Sequence, residues 1–148
     1  MRRKARELAF KALFEHAQGD VPLSEAWRHA LAAYDYEGDE PLDQEGTEFA
    51  ERLVRGYQDH AEEVDKILAE TVEGWDFNQM SKTDLAVLRL ATYEMLYEDT
   101  PFAPLIEVAV RIAGKYGGED SGKFVNGVLA RLKRRIDAGE LKTVPKKD

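Results

Sequence analysis

The twelve residues "LAVLRLATYEML", Leu85 to Leu96, constrain the fold more than any other stretch of this chain. Leu85, Leu88, Met95 and Leu96 fall on one side of a helix and Val87, Leu90, Tyr93 and Tyr97 on the other, with Arg89 and Glu94 as the only charges within the stretch. A helix that is apolar nearly all round has to be surrounded, so this segment predicts a central helix with neighbours on several sides. Ser81, with Asp84 three residues later, supplies a start signal like a capping box, although Asp replaces the better Glu or Gln.

The rest of the chain supplies those neighbours, because the apolar period is helical almost everywhere and no alternating β-branched run bounded by turns appears. Ala5, Leu8, Ala9, Ala12, Leu13 and His16 line a first helix, widened by Phe10 and Phe14. Gly19 and Pro22 separate it from a second helix running through Trp27 and Leu31 to about Tyr34. The segment "DYEGDEPLDQEG" reads as an acidic surface loop spanning roughly 35–45, for which the sequence suggests no role. Phe49, Leu53 and Tyr57 then line a helix, and Val64, Ile67 and Leu68 line its continuation or a new helix after a break near Asp59. A shorter helix is expected from about Leu105 to Tyr116, stopped by Gly117 and Gly118. The expected fold class is all-α. With 148 residues the chain can bury one sizeable core but hardly two, which predicts a single helical domain over 1–138 and a polar, fraying tail over 139–148.

Charge is distributed unevenly along this chain. The formal net charge is −8, yet residues 1–18 carry +3 and 123–136 carry +5, leaving −16 on 19–122. Two basic poles flank an acidic middle, and they become a binding surface for a polyanion only if the fold brings them together. The second pole opens the last helix, "GGEDSGKFVNGVLARLKRR", at Gly117 to Arg135. Val125, Val128, Leu129, Leu132 and Ile136 define its buried arc, and Lys123, Gly127, Arg131 and Arg134 lie opposite. Asp120 or Ser121 is placed to cap this helix. Phe124 falls at the edge of the apolar arc, where geometry alone favours the core; beside cations at a helix start, it is also where an aromatic ring stacks an unpaired base. Arg6 projects into the apolar band between Leu13 and Phe10. Either a carboxylate from another helix satisfies it, or its stem runs along the core rim and leaves the guanidinium for phosphate.

Several chemistries are excluded on pattern. With no cysteine, disulfides, thiol catalysis and cysteine-ligated zinc are impossible, and a reducing compartment, the cytoplasm, is the expected location. His16, His29 and His60 lack the Glu-x-x-His spacing of di-iron bundles, and no phosphate-binding glycine loop or nucleophile elbow occurs. Nothing resembles a targeting or membrane-spanning segment. No cofactor and no enzymatic activity are expected.

Three strings, "RRKARELAFKALF", "DLAVLRLATYEMLY" and "YGGEDSGKFVNGVLARL", resemble in order and spacing the signatures of the NusB family of transcription antitermination factors. The resemblance implies about seven helices in two packed three-helix-type subdomains, with the arginine-rich N-terminus near the start of the last helix. It further implies binding of single-stranded box A RNA as a heterodimer with NusE, a small-subunit ribosomal protein, within the RNA polymerase antitermination complex that reads through terminators in ribosomal RNA synthesis. Carried over by position, the RNA contacts fall on Arg2, Arg3, Lys4 and Arg6, and on Asp120, Lys123 and Phe124. The partner face falls on Phe14, Gln18 and Asp84. Lys4 stands where arginine is commoner, Phe14 where tyrosine is usual and Asp84 where Glu is common, while Ile106 and Gly114 replace the usual Asn and Lys. Asn126 and Gly127 match the family and are expected to be helix-packing positions. The rival functions are an auxiliary RNA-binding module like that fused to ribosomal RNA methyltransferases, and a protein-interaction adaptor that never touches RNA.

Overall fold

Ser81 begins the central helix as the sequence predicts: its hydroxyl accepts the Asp84 backbone N–H at 3.3 Å, satisfying one of the free amides of the first turn. In the computed structural model, which describes residues 2–36 and 42–147, that helix is the fifth of seven. The helices are α1 (Arg3–Gln18), α2 (Leu23–Tyr36), α3 (Gln44–Asp59), α4 (Ala61–Thr71), α5 (Lys82–Tyr97), α6 (Phe102–Gly117) and α7 (Glu119–Asp137), and no strand occurs among the described residues. Twelve of the sixteen residues of α5 are buried, because α1, α3, α4, α6 and α7 all pack against it.

Helices α1, α2 and α3 form one set and α5, α6 and α7 another, with α1 lying against α5 along the seam and α4 bridging to α5 and α7. The core runs without interruption across that seam. Leu8 and Leu13 of α1, Leu53 of α3, Leu88 and Met95 of α5 and Leu129 of α7 are all fully buried, each contributing roughly 1.5–3 kcal/mol by transfer from water.

Of the two readings offered near Asp59, the break is the one the structure has: His60 sits between α3 and α4 with φ −120° and ψ 18°, and its ring stacks on Tyr97 with centroids 3.8 Å apart. Two other expectations differ. Helix α6 starts at Phe102, three residues before the expected Leu105, with Pro101 at its N-cap. Pro104 is tolerated there because the missing N–H of a first-turn proline has no helical partner to lose. The C-terminal segment, expected to fray, lies against the end of α5. Val144 N–H donates to Leu96 O at 3.1 Å, Lys147 N–H to Asp99 O at 2.7 Å, and the Lys146 ammonium to the carbonyls of Met95 and Glu98. These bonds occupy carbonyls that the end of α5 leaves without helical partners. Of the expected acidic loop, residues 37–41 lie outside the described residues; Asp43 caps α3 by accepting the Gly46 N–H at 2.7 Å.

Candidate nucleic-acid and partner interface

The turn between α6 and α7 organises the site. Gly118 has φ 96° and ψ −179°, a conformation essentially reserved for glycine, and it serves as N-cap of α7 with no side-chain cap. The expected capping by Asp120 or Ser121 is therefore corrected: both lie inside the first turn of α7. Glu119 and Asp120 place negative charge at the helix N-terminus, where the dipole favours it. Past the turn the two helices approach closely, since a Cβ on Gly122 would lie 3.5 Å from the Val110 carbonyl oxygen and 3.8 Å from Gly114 Cα. Gly122 is thus the packing glycine of α7, whereas Asn126 and Gly127, expected to pack, are exposed.

The buried arc of α7 is Val125, Val128, Leu129 and Leu132, as its period predicts, but Phe124 is left out of it and is 38% exposed. The core alternative for this ring is therefore overturned. Lys123 is exposed beside it, with only a 3.4 Å contact to the equally exposed Glu119, an ion pair of the kind worth little in water. Further along α7, Arg131 of the basic stripe and Arg135 outside it are used in structure. Arg131 donates to the Thr71 carbonyl at 3.2 Å, and Arg135 to the Thr71 hydroxyl at 2.7 Å, so that two cations close the C-terminal end of α4. Arg134 is exposed.

At the other basic pole, Arg2 is exposed at the N-cap of α1 with its guanidinium 4.4 Å from the centre of the half-buried Phe49 ring, and Arg3 and Lys4 are half-buried. Arg6 is different. It is 8% exposed, its Nε donates to Glu94 Oε1 at 2.9 Å and its second arm reaches Glu94 Oε2, so the carboxylate alternative is the correct one. The Thr100 hydroxyl donates to the same carboxylate at 2.6 Å. A guanidinium already desolvated and matched in this way is not on the surface with Arg2, Arg3 and Lys4, and it leaves the set expected to contact RNA.

Glu7, a buried carboxylate one turn after Arg3, ties the cationic start of α1 to the end of α6. Lys115 of α6 lies 3.1 Å from Glu7 Oε2, and the Tyr116 hydroxyl donates to the same oxygen at 3.3 Å. Glu7 in turn holds the Lys115 ammonium in its charged form, raising its pKa. The Tyr116 ring packs on the buried Phe10 with centroids 4.9 Å apart, and Phe10 lies 5.9 Å from Phe14. The first turns of α1 and the end of α6 are therefore held as one unit, and α7 starts three residues after Tyr116.

Of the expected partner residues, Phe14 adjoins this unit through Phe10. Arg3, Glu7, Phe10, Phe14 and Gln18 share one face of α1 by their spacing of three and four, with Phe14 half-buried and Gln18 exposed. Asp84 approaches from α5: burial raises its pKa and a hydrogen bond from the Ser121 hydroxyl partly opposes that shift. The same hydroxyl lies 3.3 Å from the Gly117 carbonyl. Asp84 Oδ1 has no hydrogen-bond partner among the described residues. Tyr116, 37% exposed, was not among the expected site residues; an aromatic directly before two glycines was the only signal for it.

No group of three or more His, Asp or Glu side chains is placed to hold a metal ion, and no helix is long and apolar enough to cross a membrane, among the described residues. His16 Nδ1–H donates to the Val21 carbonyl at 2.7 Å and His29 Nδ1 pairs with Glu15 at 2.8 Å, so with His60 on Tyr97 all three histidines have local structural contacts.

A seven-helix all-α domain that gathers charged and aromatic side chains around one glycine turn belongs to the class of small helical binding domains. The chain matches the NusB family model over residues 3–134, and it belongs to that family of transcription antitermination factors, which are not enzymes. Over 149 aligned residues it is 68% identical to the transcription antitermination protein NusB of Thermus thermophilus, with 99% of each chain covered. A solved structure of T. maritima NusB superposes with a TM-score of 0.79 at 38% identity, covering 95% of this chain and 98% of that one. A solved structure of the antitermination factors NusB and NusE in complex with double-stranded RNA superposes with a TM-score of 0.75 at 23% identity, covering 90% and 96%, a likeness in fold.

Proposed function

We propose that this chain is an RNA-binding antitermination factor that engages box A RNA together with a NusE-type ribosomal protein and promotes read-through by RNA polymerase during ribosomal RNA synthesis in the cytoplasm. The observation that carries this is Phe124: an aromatic ring left exposed beside Lys123 at a glycine-started helix, next to a unit that brings in the cationic start of α1. Arg2, Arg3, Lys4 and Lys123 attract and position phosphates, and Phe124 stacks an unpaired base. Asp120, on the exposed first turn of α7, accepts hydrogen bonds from base edges. No bond is made or broken and no cofactor takes part. The acidic body, with Phe14, Gln18 and Asp84, engages the basic partner protein. The binding unit is 1–138, with 139–148 as an accessory segment. The shared fold with a NusB–NusE complex that contains RNA supports this assignment.

The test is a salt titration of binding to a box A oligonucleotide, single-stranded and annealed, with and without the ribosomal protein. Affinity is expected to fall with a log–log slope of about −0.7 per phosphate neutralised on the single strand. Binding of the ribosomal protein with no RNA affinity at any salt concentration gives the adaptor function instead.

A further inference from the structure

Tyr116 is one of only two aromatic side chains that stand exposed among the described residues, and its surroundings differ from those of Phe124. One side of its ring rests on Phe10, which is 2% exposed, and its hydroxyl is held by the buried carboxylate of Glu7. It is therefore a rigid ring, backed by the core, with no further ordering needed before it binds. A preorganised tyrosine of this kind loses little entropy on association and offers a large apolar area, which is why tyrosine is enriched at the energetic centres of protein interfaces.

Its position matters as much as its rigidity. Phe14 and Asp84 lie on different helices, and nothing in α1 or α5 alone joins them. The end of α6 does. Through Phe10 the Tyr116 ring adjoins Phe14, and the next residue, Gly117, runs so close to α5 that a Cβ there would lie 3.1 Å from the Thr83 methyl, one residue before Asp84. Tyr116 thus fills the gap between the two separately expected halves of the partner face.

We propose that Tyr116 is the apolar anchor of the partner-binding surface, flanked by Phe14 on α1 and by Asp84 on α5. This rests on the partner assignment made above. The occupant is the basic ribosomal protein, presenting an apolar side chain to the Tyr116 and Phe14 rings and a cation to the open side of the half-buried Asp84 carboxylate. A cation there matches the net charge of −16 over residues 19–122. An RNA base is the less suitable occupant, since the cation at the ring, Lys115, 5.3 Å from its centre, is already paired with Glu7.

The experiment is calorimetric titration of the full chain with the NusE-type ribosomal protein, alongside binding of a box A oligonucleotide without that protein. Tyr116→Ala is expected to weaken the partner by about tenfold or more, equally at low and high salt, and to lower the RNA affinity by far less than that. Tyr116→Phe, which keeps the ring, should stay within about threefold of wild type. As a check that does not depend on the stability of the alanine variant, a photoreactive benzophenone side chain at position 116 is expected to crosslink to the ribosomal protein. If Tyr116→Ala binds the partner like wild type while Phe14→Ala is weakened, the anchor is overturned and the partner face stands. A loss of RNA affinity with partner affinity intact assigns the ring to the RNA surface and overturns the proposal. Should the wild-type chain fail to bind the ribosomal protein at all, the anchor and the partner assignment fall together.

Discussion

Arg6 and Glu94, 88 residues apart in the chain, form a buried two-armed ion pair that fastens α1 to α5. Glu94 is 0% exposed, and the Thr100 hydroxyl satisfies it further. Removing one partner of such a pair strands a desolvated charge, so Arg6→Ala is expected to cost about 3–5 kcal/mol in urea unfolding. The double variant Arg6→Met, Glu94→Leu should recover most of that loss, because apolar residues of similar volume replace a buried pair at little net cost. RNA affinity of the folded double variant should equal that of wild type. A loss specific to RNA would return Arg6 to the binding surface.

Phe124 separates binding from stability. Because the ring is exposed and outside the α7 arc, Phe124→Ala is expected to change unfolding stability by less than about 0.5 kcal/mol while costing roughly 1–3 kcal/mol of RNA binding. Removing the charges of Arg2, Arg3 and Lys4 should act differently, lowering affinity for every sequence and reducing the magnitude of the salt slope by about 2. Filter binding across a salt series distinguishes the two effects.

These two residues mark what a sequence can and cannot say. The period of α7 located its buried arc, and the start signal at Ser81 located α5, because both depend on local spacing. The position of Arg6 in an apolar band announced that it needed a counter-charge, yet nothing local points to Glu94, since a tertiary pairing leaves no trace in spacing. Phe124 lay at the edge of the arc, and whether an edge residue is covered depends on where the neighbouring helix ends. Gly118 and the Gly122 contact with α6 decide that, and they leave the ring open. The start of α6 was displaced because Pro104 reads as a breaker unless it is known to fall in a first turn. Tyr116 was invisible as a site because its rigidity comes from Phe10 and Glu7 on another helix.

Asp84 predicts a pH effect of unusual sign. Burial raises its pKa in the folded chain, more than the Ser121 hydrogen bond lowers it, so the folded state holds this proton more tightly than the unfolded state. Stability contributed at this site is therefore highest below the ordinary carboxylate range and is lost as pH rises through the folded-state value. Asp84→Asn should be more stable than Asp84 at neutral pH, and the difference should vanish on acidification. Thermal unfolding of both forms as a function of pH measures it. If Asp84 meets a cation of the partner, the same variant should bind that protein more weakly.

Lys146 predicts that the C-terminal segment stabilises the body. Its ammonium closes two carbonyls at the end of α5, and burial there lowers its pKa despite the nearby carboxylates of Glu94, Asp99 and Glu98. A cation at a helix C-terminus in a partly buried setting is worth up to about 2 kcal/mol, so Lys146→Ala should lower stability by about 1–2 kcal/mol. Amide exchange should accelerate at Val144 and Lys147, whose N–H groups donate to Leu96 and Asp99.

Gly118 gives the most direct test of the site's architecture. At φ 96° and ψ −179° an alanine Cβ is strained although the space around it is open, so Gly118→Ala is expected to cost about 1–3 kcal/mol through backbone conformation alone. The chain can relieve that strain only by rotating the start of α7, which carries Asp120, Lys123 and Phe124, relative to the end of α6, which Glu7 and Phe10 hold against α1. RNA affinity should therefore fall even in the fraction that remains folded, and by more than removal of the Lys123 charge. Gly139, which also has a positive φ of 80° but lies past the end of α7, is the control. Gly139→Ala should show a comparable conformational cost and unchanged RNA binding, and equal losses of binding in the two variants would mean that the α6–α7 turn does not set the interface.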